Sequence, residues 1–175
     1  MSGDALSVFP SRTRARQTLA LLLLFSLILA GLPDPGLAQE EQKAIDLREL
    51  ESGVGIRINA YRVSVKKPPF DSNEKVAKIA RAHSRDMAKG KVGFGHAGLQ
   101  ERAAQVGASI ELAGVAENIS RHDRSSGFVD AALKKWLASP LHKKNIDGDY
   151  DLAGVGAAQD ANGVVYFTQI FVKKR

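Results

Sequence analysis

Four histidines and one oddly placed carboxylate carry most of the chemistry this sequence can offer. His96 lies in "GFGHAG", where glycines on both sides let the backbone turn tightly and leave an imidazole uncovered. His142 follows "ASPL" just past an expected helix end and precedes two lysines. Glu117 lies in "GVAENIS"; if that stretch is extended, it shares a face with Val115 and Ile119, two apolar β-branched residues. A buried carboxylate without partners costs on the order of several kcal/mol, so Glu117 needs a counter-charge, a ligand or a proton. Two imidazoles and one acid can hold a divalent ion such as zinc with water in an open position. They can equally form a proton-transfer pair with an orienting carboxylate. Their separations, 21 and 25 residues, match no local metal motif.

The other two histidines read differently. His83 falls within an aliphatic helical stripe and is expected in or near the core, while His122, in "RHDRSSG", is expected in a solvated loop. Gly93, Gly95 and Gly98 spell GxGxxG, but no strand precedes them and no βαβ unit surrounds them, so they do not read as a dinucleotide site. Asn118-Ile119-Ser120 is formally a glycosylation sequon that overlaps the expected strand. Neither a GxSxG elbow nor an HExxH helix occurs. Cysteine is absent, which removes disulfides, thiol catalysis and Cys-ligated zinc, and leaves packing to hold the domain.

The elements that must position these residues are legible from periodicity. Leu47, Leu50, Val54, Ile58 and Tyr61 form a helical stripe that Gly53 and Gly55 weaken, and "KKPP" at 66–69 breaks the chain. A second helix is expected after Asp71 and Glu74, which have capping-box spacing, with Val76, Ile79, Ala80, His83 and Met87 inward and Gly90 ending it. A third, shorter helix is expected over Leu99 to Val106, then a strand in "SIELAGVAENIS" with an irregularity at Gly114. Residues 127–138 read as a helix ending before Pro140. "LAGVGAAQ" and "GVVYFTQIFV", joined by "DANG", predict an antiparallel hairpin. Helices first and strands late make an α+β domain.

At 175 residues, with 44% hydrophobic and 25% charged residues, the chain has room for one domain and little more. Arg12, Arg14 and Arg16, the apolar run 18–32 and the small residues Gly36 and Ala38 predict a Sec-type signal peptide over 1–38, then a flexible lead-in over 39–46 and one domain over 47–175. No two arginines of this leader are adjacent, so a twin-arginine route has no support. The run falls short of the roughly 20 apolar residues of a membrane span, so no stable transmembrane anchor is expected after cleavage. Export to a periplasm or to the outside is the expectation. Removing residues 1–38 takes away three arginines and two aspartates and leaves 22 basic against 17 acidic residues. That balance favours acidic surfaces such as anionic lipid or envelope polysaccharide, and no nucleic-acid partner is expected.

The segments "IRINAYR", "ARAHSRDMAKG", "FGHAGLQERAAQVG", "AENIS", "KKWLASPLHKKNI", "AGVG" and "YFTQIF" follow one another in the order typical of the CAP superfamily of cysteine-rich secretory, antigen 5 and pathogenesis-related proteins. The chain resembles its bacterial, cysteine-free SCP-domain branch from about Ile56 to Phe171. The resemblance implies an α-β-α sandwich, a small antiparallel sheet between helical layers, with a cleft holding two histidines and two acids. His96 and His142 match the family histidines and Glu117 the acid of the Glu-Asn motif. The remaining acid, in many members three residues after the tryptophan, is replaced here by Ser139, three residues after Trp136. One imidazole pair with a single anion binds a dication less well than with two. Asn59, Arg62, Arg102, Gly107, Trp136, Asn145 and Gln169 match recurrent positions of structural character, and Arg102 offers Glu117 a counter-charge that competes with the metal reading.

Three functions stay open on the sequence. The first is a non-catalytic binding module whose cleft, built from His96, Glu117, His142 and Ser139, holds zinc or another divalent cation and an envelope ligand: lipid, polysaccharide or peptide. The second is a metal-assisted hydrolase using His96, Glu117 and His142. The third is a scaffold with a vestigial site. No nucleophile stands out, so the balance leans away from an enzyme.

Overall fold

The computed structural model describes residues 45–123 and 127–175. The expected signal peptide and nearly all of the lead-in therefore lie outside the described residues. The first helix, α1 (Leu47–Ser64), starts where Asp46 accepts hydrogen bonds from the amides of Arg48 and Glu49, and it runs through Gly53 and Gly55 because Val54 and Ile58 are fully buried. A two-residue strand β1 (Asp71–Ser72) precedes α2 (Glu74–Ala88). The cap of α2 is Asn73, which accepts from the Val76 amide at 3.1 Å; Asp71, expected as the cap, belongs to β1 instead. Gly90, at φ +67°, ends α2 in the left-handed conformation glycine adopts without strain.

Helix α3 (Leu99–Gly107) and strand β2 (Leu112–His122) follow, and β2 carries its irregularity between Leu112 and Gly114. Helix α4 (Phe128–Ala138) ends as expected, but the chain does not run on as a loop. Pro140 occupies the first turn of a further short helix, α5 (Pro140–Ile146), so His142 sits on a helix rather than merely past one. Strands β3 (Leu152–Gln159) and β4 (Val165–Lys174) form the antiparallel hairpin.

The sheet order is β1-β3-β4-β2. Three strands are antiparallel, and only the short edge pairing of β1 with β3 is parallel. On one face, Val54 and Ile58 of α1 and Ala132 and Trp136 of α4 meet Val165, Phe167 and Phe171 of β4. On the other, Val76 and Ala80 of α2 and Val106 of α3 meet Ile170 and Val172. Alternation along β4 thus feeds two separate cores, which makes the α-β-α sandwich.

Two glycines set the distance between α2 and the sheet. A Cβ on Gly154 would lie 2.3 Å from the Ala77 nitrogen, and one on Gly156 would lie 2.0 Å from the Arg81 nitrogen. The "AGVG" segment therefore lets a helix backbone rest directly on β3.

Polar side chains with structural roles sew the layers together. Asn59 both donates to the Phe70 carbonyl and accepts from its amide, each at 2.9 Å. Arg62, 2% exposed, donates to the carbonyls of Pro68, Ile146 and Gly148 and stacks on the Phe70 ring. Trp136 donates its indole N–H to the Ile119 carbonyl.

Candidate functional site

Glu117 sits in the middle of β2 with its side chain fully buried. Cross-strand pairing with Ile170 turns it toward the α2–α3 layer. There Arg102 of α3 grips the carboxylate with two hydrogen bonds, Nε to Oε2 at 2.7 Å and Nη2 to Oε1 at 2.8 Å. The guanidinium also donates to the carbonyls of Ala97 and, at 3.4 Å, His96. One arginine thereby joins α3, β2 and the 96–97 turn. The counter-charge that strand parity demands is supplied from within the protein, in the fork geometry that suits a carboxylate.

His96, with its side chain about half exposed, places Nδ1 2.9 Å from Glu117 Oε1. A carboxylate only accepts, so Nδ1 carries a proton, and in the neutral imidazole this leaves Nε2 with its lone pair. His83 completes the cluster: its Nε2–H donates to the Gly95 carbonyl at 3.0 Å, and Nε2 lies 4.0 Å from Glu117 Oε1. The buried setting expected for His83 holds. Its place against the site acid was not legible, because helical periodicity reports which face is inward and not what that face meets.

His142 is brought to the neighbourhood by a different route. Asn118, next to Glu117 but on the opposite sheet face, donates to the His142 carbonyl at 3.0 Å, and Asn145 donates to Asn118 Oδ1 at 2.9 Å. These bonds moor α5 to β2. His142 Nδ1 is buried without a hydrogen-bond partner among the described residues. Ser139 joins α4 to α5 and makes no side-chain capping bond. Among the described residues no three histidine, aspartate or glutamate side chains gather closely enough to hold a metal ion. Both oxygens of Glu117 are engaged by Arg102.

His122 departs from expectation. It ends β2, half-buried, with Nε2 3.1 Å from the Ser120 hydroxyl and its ring against Phe167. The polar residues after it pointed to a loop, but ten residues of pairing with β4 carry the strand through it.

Burial dominates the titration of three imidazoles. His83 is pushed below the ordinary histidine range by burial and then by the Arg102 charge, against the pull of Glu117. His142 is lowered by burial, then by His96 and Lys135. His122 is lowered by burial and then by Lys135. Each resists protonation when folded and accepts a proton freely at about pH 6.5 when unfolded. The unfolded state therefore binds more protons, and stability present above about pH 6.5 is lost as pH falls through the folded values. The melting temperature is expected to be lower at pH 5 than at pH 7.5, and His83→Gln is expected to shrink that drop. A melting temperature that is flat or rising toward pH 5 would contradict this burial.

A cysteine-free α-β-α sandwich with a histidine–carboxylate cluster beside its edge strand defines the class. The profile of the cysteine-rich secretory protein (CAP) family matches residues 56–171, and the chain belongs to that family. An outer surface protein of Borrelia burgdorferi superposes with a TM-score of 0.62 at 19% identity, covering 75% of this chain and 97% of the other. A cysteine-rich secretory protein of Staphylococcus aureus gives 0.60 at 19% identity, over 74% of this chain and 40% of that one. An extracellular SCP-domain protein of Bacillus anthracis gives 0.59 at 25% identity, over 73% and 41%. The chain thus spans well under half of the latter two. Comparison with curated proteins gave no match. No helix among the described residues is long and apolar enough to cross a membrane.

Proposed function

We propose that this CAP domain is an exported, non-catalytic binding module that takes a divalent cation on the imidazoles of His96 and His142. The observation that supports the reading is that each imidazole keeps one nitrogen clear of hydrogen bonds among the described residues. His96 is fixed by Glu117 through Nδ1, which leaves Nε2 clear of the carboxylate, and His142 Nδ1 is buried with no bond of its own among the described residues. Glu117 then acts behind His96, holding its tautomer and orientation, as carboxylates commonly do for metal-binding histidines. Water or the cation's own ligand fills the remaining positions, with Ser139 in place of a second acid.

The same geometry argues against strong base catalysis. A carboxylate that stabilises an imidazolium does so with its charge, and here Arg102 already neutralises it. The basic leader and apolar run at the N-terminus support export, and the extracellular Bacillus anthracis neighbour is consistent with that.

Calorimetric titration with zinc tests the module. Wild type is expected to take up the ion, and His96→Ala/His142→Ala to weaken uptake by at least about tenfold, the equivalent of about 1.4 kcal/mol. Equal uptake by both proteins would sink the two-imidazole site.

A further inference from the structure

The opposite face of the sheet holds a second polar feature that neither the histidines nor the core accounts for. Where β1 stops at Ser72, the edge of β3 runs on with no strand of the described residues beside it. Glu51 of α1 closes part of that edge. Its Oε1 accepts from the Ala157 amide at 2.9 Å and from Arg81 Nε at 2.7 Å, while Oε2 accepts from Arg81 Nη2 at 2.7 Å. Beside this knot, between α1, β1 and the first turns of α2, lies a cavity of about 300 Å³.

Gln169 of β4 lines this cavity. It is 1% exposed, and its Oε1 is buried with no hydrogen-bond partner among the described residues. Cross-strand neighbours place it on the opposite sheet face from Glu117: Gln169 pairs with Asn118 and Val155, whereas Glu117 pairs with Ile170. Native proteins seldom leave a buried carbonyl oxygen unpaired. One water would satisfy it, but a water's share of liquid volume is about 30 Å³, and this cavity is many times larger.

The walls narrow the chemistry. Phe70, Ala77, Ala153 and Val155 are apolar, and Ser52 and Ser72 add hydroxyls that both donate and accept. The charges nearby are already matched: Arg48 with Glu74 at 3.2 Å, and Arg81 with Glu51 at 2.7 Å. An ionic ligand would find no free counter-charge in these four. A neutral ring with hydroxyls at its rim and C–H groups on its faces fits an apolar wall, two serines and one unpaired acceptor.

We propose that this cavity is a second binding site, for a neutral saccharide unit of monosaccharide size, with the Gln169 side chain, whose Oε1 is closed off in this conformation, turning to accept from one ligand hydroxyl. Titration of the isotope-labelled full chain with glucose and with N-acetylglucosamine, followed by NMR, is the test. Saturable shifts are expected at residues 52–59, at 72–77 and at the Gln169 side-chain amide. Gln169→Met keeps the length of the side chain and removes the acceptor. It is expected to weaken saccharide binding by about tenfold while leaving the melting temperature unchanged or higher, since no protein bond is lost. A purely structural Gln169 would instead lower the melting temperature. The His96→Ala/His142→Ala protein should bind saccharide like wild type, so this site and the imidazole pair succeed or fail independently. The proposal is overturned by no saturable shift with either sugar, by undiminished binding in Gln169→Met, or by binding of acetamide in place of the sugars.

Discussion

Arg102→Met is expected to destabilise the domain by about 3–5 kcal/mol, because it leaves the fully buried Glu117 carboxylate without its counter-charge. Against a typical total of about 5–15 kcal/mol, such a loss brings the fold near its limit. The damage extends beyond the ion pair, since Arg102 also ties down the carbonyls of Ala97 and His96. Glu117→Gln keeps the shape and one carbonyl acceptor for the Arg102 guanidinium, so its cost should be smaller than that of Glu117→Met, which leaves the guanidinium with neither. The double variant Arg102→Met/Glu117→Met should cost less than the sum of the two single methionine changes, as both buried charges leave together. Urea unfolding of all four proteins reads these differences. If Arg102→Met proves as stable as wild type, the carboxylate has another partner and the anchoring role is wrong.

Gly156→Ala is expected to cost at least about 3 kcal/mol, at the upper end of what added core atoms usually do. The new methyl group would lie 2.0 Å from the Arg81 nitrogen and 2.3 Å from its Cα. These are helix backbone atoms, so no rotamer change relieves the clash. Helix α2 would have to lift from β3, opening the layer formed by Val76, Ala80, Ile170 and Val172. The bond from the Ser84 hydroxyl to the Gly156 carbonyl, at 2.9 Å, would stretch with it. Gly55→Ala is the control: it lies within α1, where an added Cβ meets nothing within 4 Å, and alanine there should stabilise by up to about 1 kcal/mol. Equal stability of the two variants in thermal and urea unfolding would refute the direct helix-on-strand contact.

Several features of the site were legible before any coordinates. Strand parity exposed Glu117 as a charged residue on an apolar face, and the glycines around His96 and the expected helix end before His142 drew attention to those two imidazoles. Helix periodicity placed His83 inward. In each case the signal is local, a period of two or 3.6 residues, or glycines around a side chain. The α5 helix was missed because seven residues, about two turns, carry almost no periodicity, and Pro140 reads as a stop when it is also a good start. His122 was missed because its polar neighbours mask a pairing that β4 provides.

The sequence by itself determined the four longer helices, the three longer strands, the hairpin and the need of Glu117 for a partner. These follow from backbone sterics and from which side chains water rejects. The family resemblance offered Arg102 as one candidate, and only the tertiary structure decided that it is the partner. Arg102 comes fifteen residues earlier, on another element, and reaches Glu117 because α3 lies over β2. The same holds for Gln169, whose unpaired oxygen shows only once α1, α2 and the β3 edge close around it. Hydrogen bonds and ion pairs are satisfied in space, at distances near 3 Å, and sequence separation carries almost no information about them.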